Sequence, residues 1–131
     1  MTFIPLVLTS IDNCYLVNRV GDYDWRKDGF VAQLKSDWSG IQLDIFSDQE
    51  AFQMYSCNFQ DDTMAIKKSQ GVFGNPKFPR TIPKYGCLVL EVQDWIDAIN
   101  NPQWGRESKH IFGPGGDPYV LQASYRFSVN K

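Results

Sequence analysis

The sequence predicts an all-β, sandwich-like fold, and three observations carry that prediction. Tyr119 to Val129 alternates apolar and polar side chains almost without error. Five other short runs rich in β-branched, aromatic or aliphatic residues recur along the chain. Clusters of Gly, Pro, Asp and Ser punctuate the intervals, and only one stretch reads as helix. At 131 residues the chain is long enough for one domain with a real core and too short to suggest two.

The elements follow in order. Met1 to Leu8 is apolar, but no basic residue precedes it; it is shorter than a signal-peptide core and far too short to span a bilayer. Ser10-Ile11-Asp12-Asn13 reads as a turn ahead of a strand over Cys14 to Val17. Strands over Phe30 to Lys35 and Ile41 to Phe46 are joined by the hairpin turn Asp37-Trp38-Ser39-Gly40. Phe52 to Cys57 is the next strand, with Gln53 and Tyr55 on one face. Gln70 to Tyr85 carries three prolines and two glycines, and reads equally as a functional surface loop or a plain crossover.

Cys87 to Val92 is the most apolar strand, so both of its faces should be covered. Asp94 to Asn101 reads as one or two helical turns, with Asp94 as N-cap and Asn101-Pro102 as the stop. Gly113-Pro114-Gly115-Gly116-Asp117-Pro118 is a rigid loop before the last strand. In that strand Tyr119, Leu121, Ala123, Tyr125, Phe127 and Val129 should face inward, with Gln122, Ser124, Arg126 and Ser128 outward.

Composition excludes several functions. Hydrophobic content of 43% and aromatic content of 15% mark a globular chain. Thirteen basic and fifteen acidic residues give a net charge of -2, which offers no electrostatic case for nucleic acid or an anionic membrane. Cys14, Cys57 and Cys87 lack metal-ligand spacing, and the single His110 cannot complete a zinc site with them, so no metal is expected. An odd number of cysteines in apolar surroundings reads as buried free thiols in a reducing compartment. No glycosylation sequon is present, and the expected location is the cytoplasm.

The residue that invites a chemical role is Glu91. Period two places Cys87, Val89, Glu91 and Gln93 on one face, and the apolar surroundings predict a partly dry carboxylate. Burial would raise its pKa toward the range useful for proton transfer. The structural alternative is a carboxylate paired with an arginine or capping backbone amides.

Gly86-Cys87-Leu88-Val89-Leu90-Glu91-Val92-Gln93-Asp94-Trp95, followed by Asp97-Ala98-Ile99-Asn100 and Pro102, resembles the signature of the aldose 1-epimerases (galactose mutarotases). Gln53-Met54-Tyr55-Ser56-Cys57-Asn58-Phe59 resembles that family's Gln-x-Tyr-x-x-Asn-Phe strand. Ser10 to Val17 is similar to the segment whose aspartate contacts sugar hydroxyls, and Tyr119 to Val129 to the closing strand. The resemblance implies an antiparallel β-supersandwich of the galactose mutarotase type, with this chain (residues 1–131, a single partial domain) supplying the C-terminal part. It implies Glu91 as the catalytic base and Asp12 as a sugar ligand. Gln53, Tyr55 and Asn58 fall in the second motif, where Gln53 and Tyr55 serve either sugar contact or sheet packing. The ligand would be a hexose, and the proton-transfer chemistry needs no cofactor.

The family's catalytic histidines lie upstream of the segment that Asp12 represents, where this chain has only Met1 to Thr9. The resemblance therefore implies a base without its acid, in a truncated and impaired epimerase. The rival readings are a non-catalytic carbohydrate-binding β-domain and an inactive remnant. Either could pair with a complementing chain or self-associate through open strand edges. His110, beside Lys109 and downstream of Glu91, is not assigned a role; none of Trp25, Trp38, Trp95 and Trp104 has the spacing of a sugar platform, and Trp95 and Trp104 read as structural. Phe46-Ser47-Asp48-Gln49-Glu50 departs from the family's usual Thr-Thr-Glu-Pro run. Gly105-Arg106-Glu107 and Ile111-Phe112-Gly113-Pro114 resemble its fungal branch.

Overall fold

Apolar alternation along short segments yields strands, and six are present in a computed structural model that describes residues 10–19, 24–67, 69 and 80–129. They are β1 (Asp12–Leu16), β2 (Phe30–Lys35), β3 (Ile41–Ser47), β4 (Ala51–Tyr55), β5 (Val89–Gln93) and β6 (Ala123–Val129). They form two three-stranded sheets, ordered β1-β4-β5 and β2-β3-β6. The fold is all-β, as expected. Among the described residues no helix is long and apolar enough to cross a membrane.

The described residues fall into two compact units: one drawn from Met1–Asn13 and Gln53–Glu91, the other from Cys14–Phe52 and Val92–Lys131. In the second unit β3 pairs antiparallel with both β2 and β6, from Lys35 opposite Gln42 and from Ile41 opposite Val129. The hairpin turn lies where the sequence placed it. Gly40 adopts φ 72, and Ser36 and Ser39 side chains cap the turn by accepting from Ser39 N and Ile41 N. Ile45 and Ser47 are the buried end of β3. The Ser47 hydroxyl donates to Gln122 O at 2.7 Å and Arg19 donates to Ser47 O at 2.7 Å, so this polar residue is satisfied inside.

In the first unit the core is centred on Cys57, which is fully buried. Cys57 is bonded to Cys87, with Cα atoms 5.4 Å apart. This corrects the expectation of three free thiols; only Cys14 is free among the described residues. An odd count conceals a pair when two cysteines far apart in sequence end adjacent strands. The support that free thiols lent to a reducing compartment goes with it.

Three other expectations change. β6 begins at Ala123, not Tyr119, and its apolar side chains are not covered: Tyr125, Phe127 and Val129 are 44%, 73% and 60% exposed, and Tyr119 and Leu121 are also exposed. Alternation reports which residues share a face; it does not supply what covers that face. The stretch after β5 contains two 3-10 turns, Ala98–Asn100 and Pro102–Trp104, capped without side-chain bonds from Asp97 and Asn101. Asp94 caps neither, because Arg106 holds its carboxylate. Finally, two one-turn helices lay below sequence detection: α1 (Trp25–Asp28), which Asp24 caps by accepting from Arg26 N, and α2 (Glu107–His110). Four residues are too few to show a 3.6-residue period. Residues 70–79 of the Pro-rich segment lie outside the described residues.

Candidate functional site

The three residues singled out by sequence stand on the three strands of one sheet. Asp12 opens β1, Gln53 is the middle of β4 and Glu91 the middle of β5, in the order β1-β4-β5. Backbone bonds from Ser56 N to Ile11 O and from Val17 N to Glu50 O run in opposite chain senses, so β1 and β4 are antiparallel. Asp12 is therefore part of a strand rather than of the turn before it.

Gln53 Nε2 donates to Asp12 Oδ1 at 2.6 Å. This bond joins two sequence-predicted site residues separated by 41 positions. The other amide atom, Gln53 Oε1, is buried and unpartnered among the described residues. Further along the same strand faces Gln93 Nε2 lies 3.4 Å from Cys14 Sγ. Strand alternation puts Cys14 on the Asp12 face of β1 and Gln93 on the Glu91 face of β5. Asp12, Gln53 and Glu91 thus share one face.

Glu91 itself is exposed. The expected partly dry carboxylate is not found, since its neighbours Leu90 and Val92 are half-buried on the opposite face while nothing described lies over the glutamate. Neither is the structural alternative found: among the described residues no arginine pairs with Glu91, and it caps no backbone amide. β5 is hydrogen-bonded to β4, so Glu91 stands on the strand next to Gln53.

The other residues of the second motif are structural. Tyr55 OH accepts from Phe59 N at 3.2 Å, and the two rings stack with centroids 6.3 Å apart. Asn58 is buried and donates to Ser10 Oγ at 2.7 Å, which fixes the segment leading into Asp12. Ser56 does the same from the other side, accepting from Ile11 N at 2.9 Å.

A second charged cluster, which sequence reasoning missed, follows β5. Arg106 donates to both carboxylate oxygens of Asp94 and to Glu50 Oε2 at 2.9 Å, and its guanidinium lies 5.2 Å from the Trp95 ring centroid. Burial works against the Arg106 charge, but the bonds from Asp94 and Glu50 outweigh it and hold the group above its ordinary pKa. His110 Nε2 is 3.1 Å from Asp94 Oδ2. Trp104 packs edge-on against Trp95 at 5.7 Å. Arg106, Asp94 and Glu50 bind one another, which makes this cluster a brace. The packing role expected of Trp95 and Trp104 holds. Among the described residues no group of three or more His, Cys, Asp or Glu side chains is placed to hold a metal ion.

The chain is similar to known epimerases. The probable aldose 1-epimerase of Arthroderma benhamiae is 35% identical over 93% of this chain. Epimerase FSL3 of Gibberella zeae is 39% identical over 82% of the chain, and the galactose mutarotase of Rattus norvegicus 30% over 76%. The chain belongs to the aldose 1-epimerase family. It spans 30%, 23% and 25% of the length of these three relatives, consistent with a C-terminal portion. No family model matches, and no solved structure matches. The two fungal epimerases exceed the mammalian mutarotase in identity, in line with the fungal-type runs around Arg106 and Ile111. The shared face carries two carboxylates and an amide, a set able to accept hydrogen bonds from hydroxyl groups.

Proposed function

We propose that this chain carries the base half of an aldose 1-epimerase site and interconverts the α and β anomers of a hexose such as galactose or glucose. The observation that carries the reading is the Gln53–Asp12 hydrogen bond beside Glu91, three motif residues on one face of adjacent strands. In the proposed reaction the Glu91 carboxylate takes the proton of the anomeric hydroxyl while an acid protonates the ring oxygen. The ring opens, the C1–C2 bond rotates, and closure from the other side gives the second anomer. Asp12 accepts hydrogen bonds from sugar hydroxyls, each stronger than a neutral one because the acceptor is charged. Gln53 orients Asp12 and adds its own amide to the sugar.

The sequence's one histidine, His110, is engaged with Asp94, so a histidine acid is not proposed from this chain. A segment outside these 131 residues, in the same or another polypeptide, would supply it. Without that acid a large part of the rate would be lost, because acid and base act as a unit. A non-catalytic sugar-binding domain is the second reading, favoured by the exposure of Glu91. The two cysteines joined at Cys57 and Cys87 weigh toward an oxidising location over the cytoplasm.

Polarimetry of α-D-galactose or α-D-glucose with the purified chain and its Glu91→Gln variant tests the reading. Acceleration over buffer that disappears in the variant, with sugar binding retained, supports catalysis. Binding without acceleration in either protein supports the lectin-like reading. Asp12→Ala should weaken binding in both cases, and binding unaffected by Asp12→Ala would sink the site assignment.

A further inference from the structure

We propose that the Cys57–Cys87 cystine is a positioning device for the base strand, pinning the start of β5 to the end of β4 so that Glu91 is held on the face that carries Asp12 and Gln53. The proposal rests on the assignment of Glu91 as the base. Cys57 lies two residues beyond Tyr55, the last residue of β4, and Cys87 two residues ahead of Val89, the first of β5. The bond therefore closes the two strands at their shared end, with Cα atoms 5.4 Å apart. Gln53 and Glu91 each stand four positions from a bonded cysteine, on strands of five residues each. Strands this short carry few ladder bonds, and a slip of one residue would turn Glu91 to the other face.

The backbone around the bond is committed to it. Cys57 adopts φ 54 and Tyr85 φ 61, the left-handed region that glycine ordinarily fills. A residue with a β-carbon persists there only where its surroundings over-determine it, and such residues cluster at functional sites. Here Cys57 O accepts from Tyr85 N at 3.0 Å and from Gln60 N at 3.2 Å, and the cysteine is fully buried. One residue thus binds the turn after β4 to the turn before β5 through both its side chain and its carbonyl. Reduction by dithiothreitol breaks the S–S bond, giving two protein thiols and the cyclic disulfide of the reagent, and leaves only the backbone bonds to hold β5 in register.

The test uses the whole chain as isolated, after treatment with dithiothreitol, and as the Cys57→Ser/Cys87→Ser variant. Thiol titration in denaturant should count one thiol as isolated, from Cys14, and three after reduction. Hydrogen exchange should rise on reduction in the peptide covering Leu88–Gln93 and stay unchanged in β2, β3 and β6. Polarimetry should show kcat falling about tenfold or more with KM little changed, as expected when a base is misplaced but the sugar contacts remain. Reoxidation should restore it. Three thiols as isolated, or exchange at Leu88–Gln93 indifferent to reduction, overturns the proposal. So does an unchanged kcat in reduced protein whose β5 has lost protection. No mutarotation by the oxidised chain, with the exchange response intact, counts against the activity proposed for the chain and leaves the pinning of β5 supported.

Discussion

At the residue scale, hydrogen bonds to charge decide which side chains are fixed. Asp61 shows this without help from burial. Its carboxylate accepts from the Thr63 hydroxyl at 2.5 Å and from Thr63 N at 3.1 Å, and these bonds lower its pKa. A lowered folded-state pKa contributes stability that is present above the unfolded-state value of about 3.9 and is lost as pH falls through the folded value. Thr63→Ala should raise the Asp61 titration midpoint toward that ordinary value, read by NMR of the carboxyl carbon between pH 2 and 6. Stability at pH 7 should change little, since the group is fully exposed. Asp12 and Gln53 are bound by the same chemistry, and there the residue types were readable in sequence because a motif spaced them. The exposure of Glu91 was not readable: an apolar strand shows that neighbours are buried, and it does not show which face lies open.

At the element scale, short elements need braces. β5 runs from one brace into another, the cystine before it and the Arg106 cluster after it. Arg106→Ala would leave Asp94, whose side chain is 11% exposed, without its partner, and would remove the cation from the Trp95 face. A loss of about 1–3 kcal/mol in urea unfolding is expected, the cost of stranding a largely buried charge. Gly86 supplies a steric test of the turn before β5. A β-carbon there would meet Pro83 Cδ at 2.6 Å and Pro83 O at 2.8 Å, whereas one at Gly113 meets nothing within 4 Å. Gly86→Ala should therefore cost about 1–3 kcal/mol and Gly113→Ala close to nothing, compared by thermal unfolding. The hairpin at Asp37 to Gly40 was legible because its turn chemistry is local. The cap assigned to Asp94 failed because Arg106, twelve residues away, competes for the same carboxylate.

At the scale of the whole molecule, two long-range features set stability and association. The Cys57–Cys87 bond closes a separation of 30 residues. The chain-entropy treatment of such a loop gives a contribution of about 3–4 kcal/mol, so reduction should lower the urea midpoint accordingly. The second feature is the exposed side of β6, where Phe127 and Val129 lie open on a strand that, among the described residues, pairs with β3 alone. An exposed apolar edge promotes pairing with another chain. Sedimentation at rising concentration should show self-association of the chain, and Phe127→Lys should reduce it while leaving the unfolding midpoint within about 0.5 kcal/mol, the usual range for a surface change.

The sequence by itself determined the all-β class, the hairpin and the family, because alternation, turn chemistry and motif spacing are local and survive without coordinates. Tertiary structure alone decided that Cys57 meets Cys87, that Gln53 reaches Asp12, that Arg106 takes Asp94, and that Glu91 and the apolar side of β6 lie open. Each of these depends on which distant segments share a sheet or a turn, and pairing between segments tens of residues apart leaves no local pattern from which it could be read.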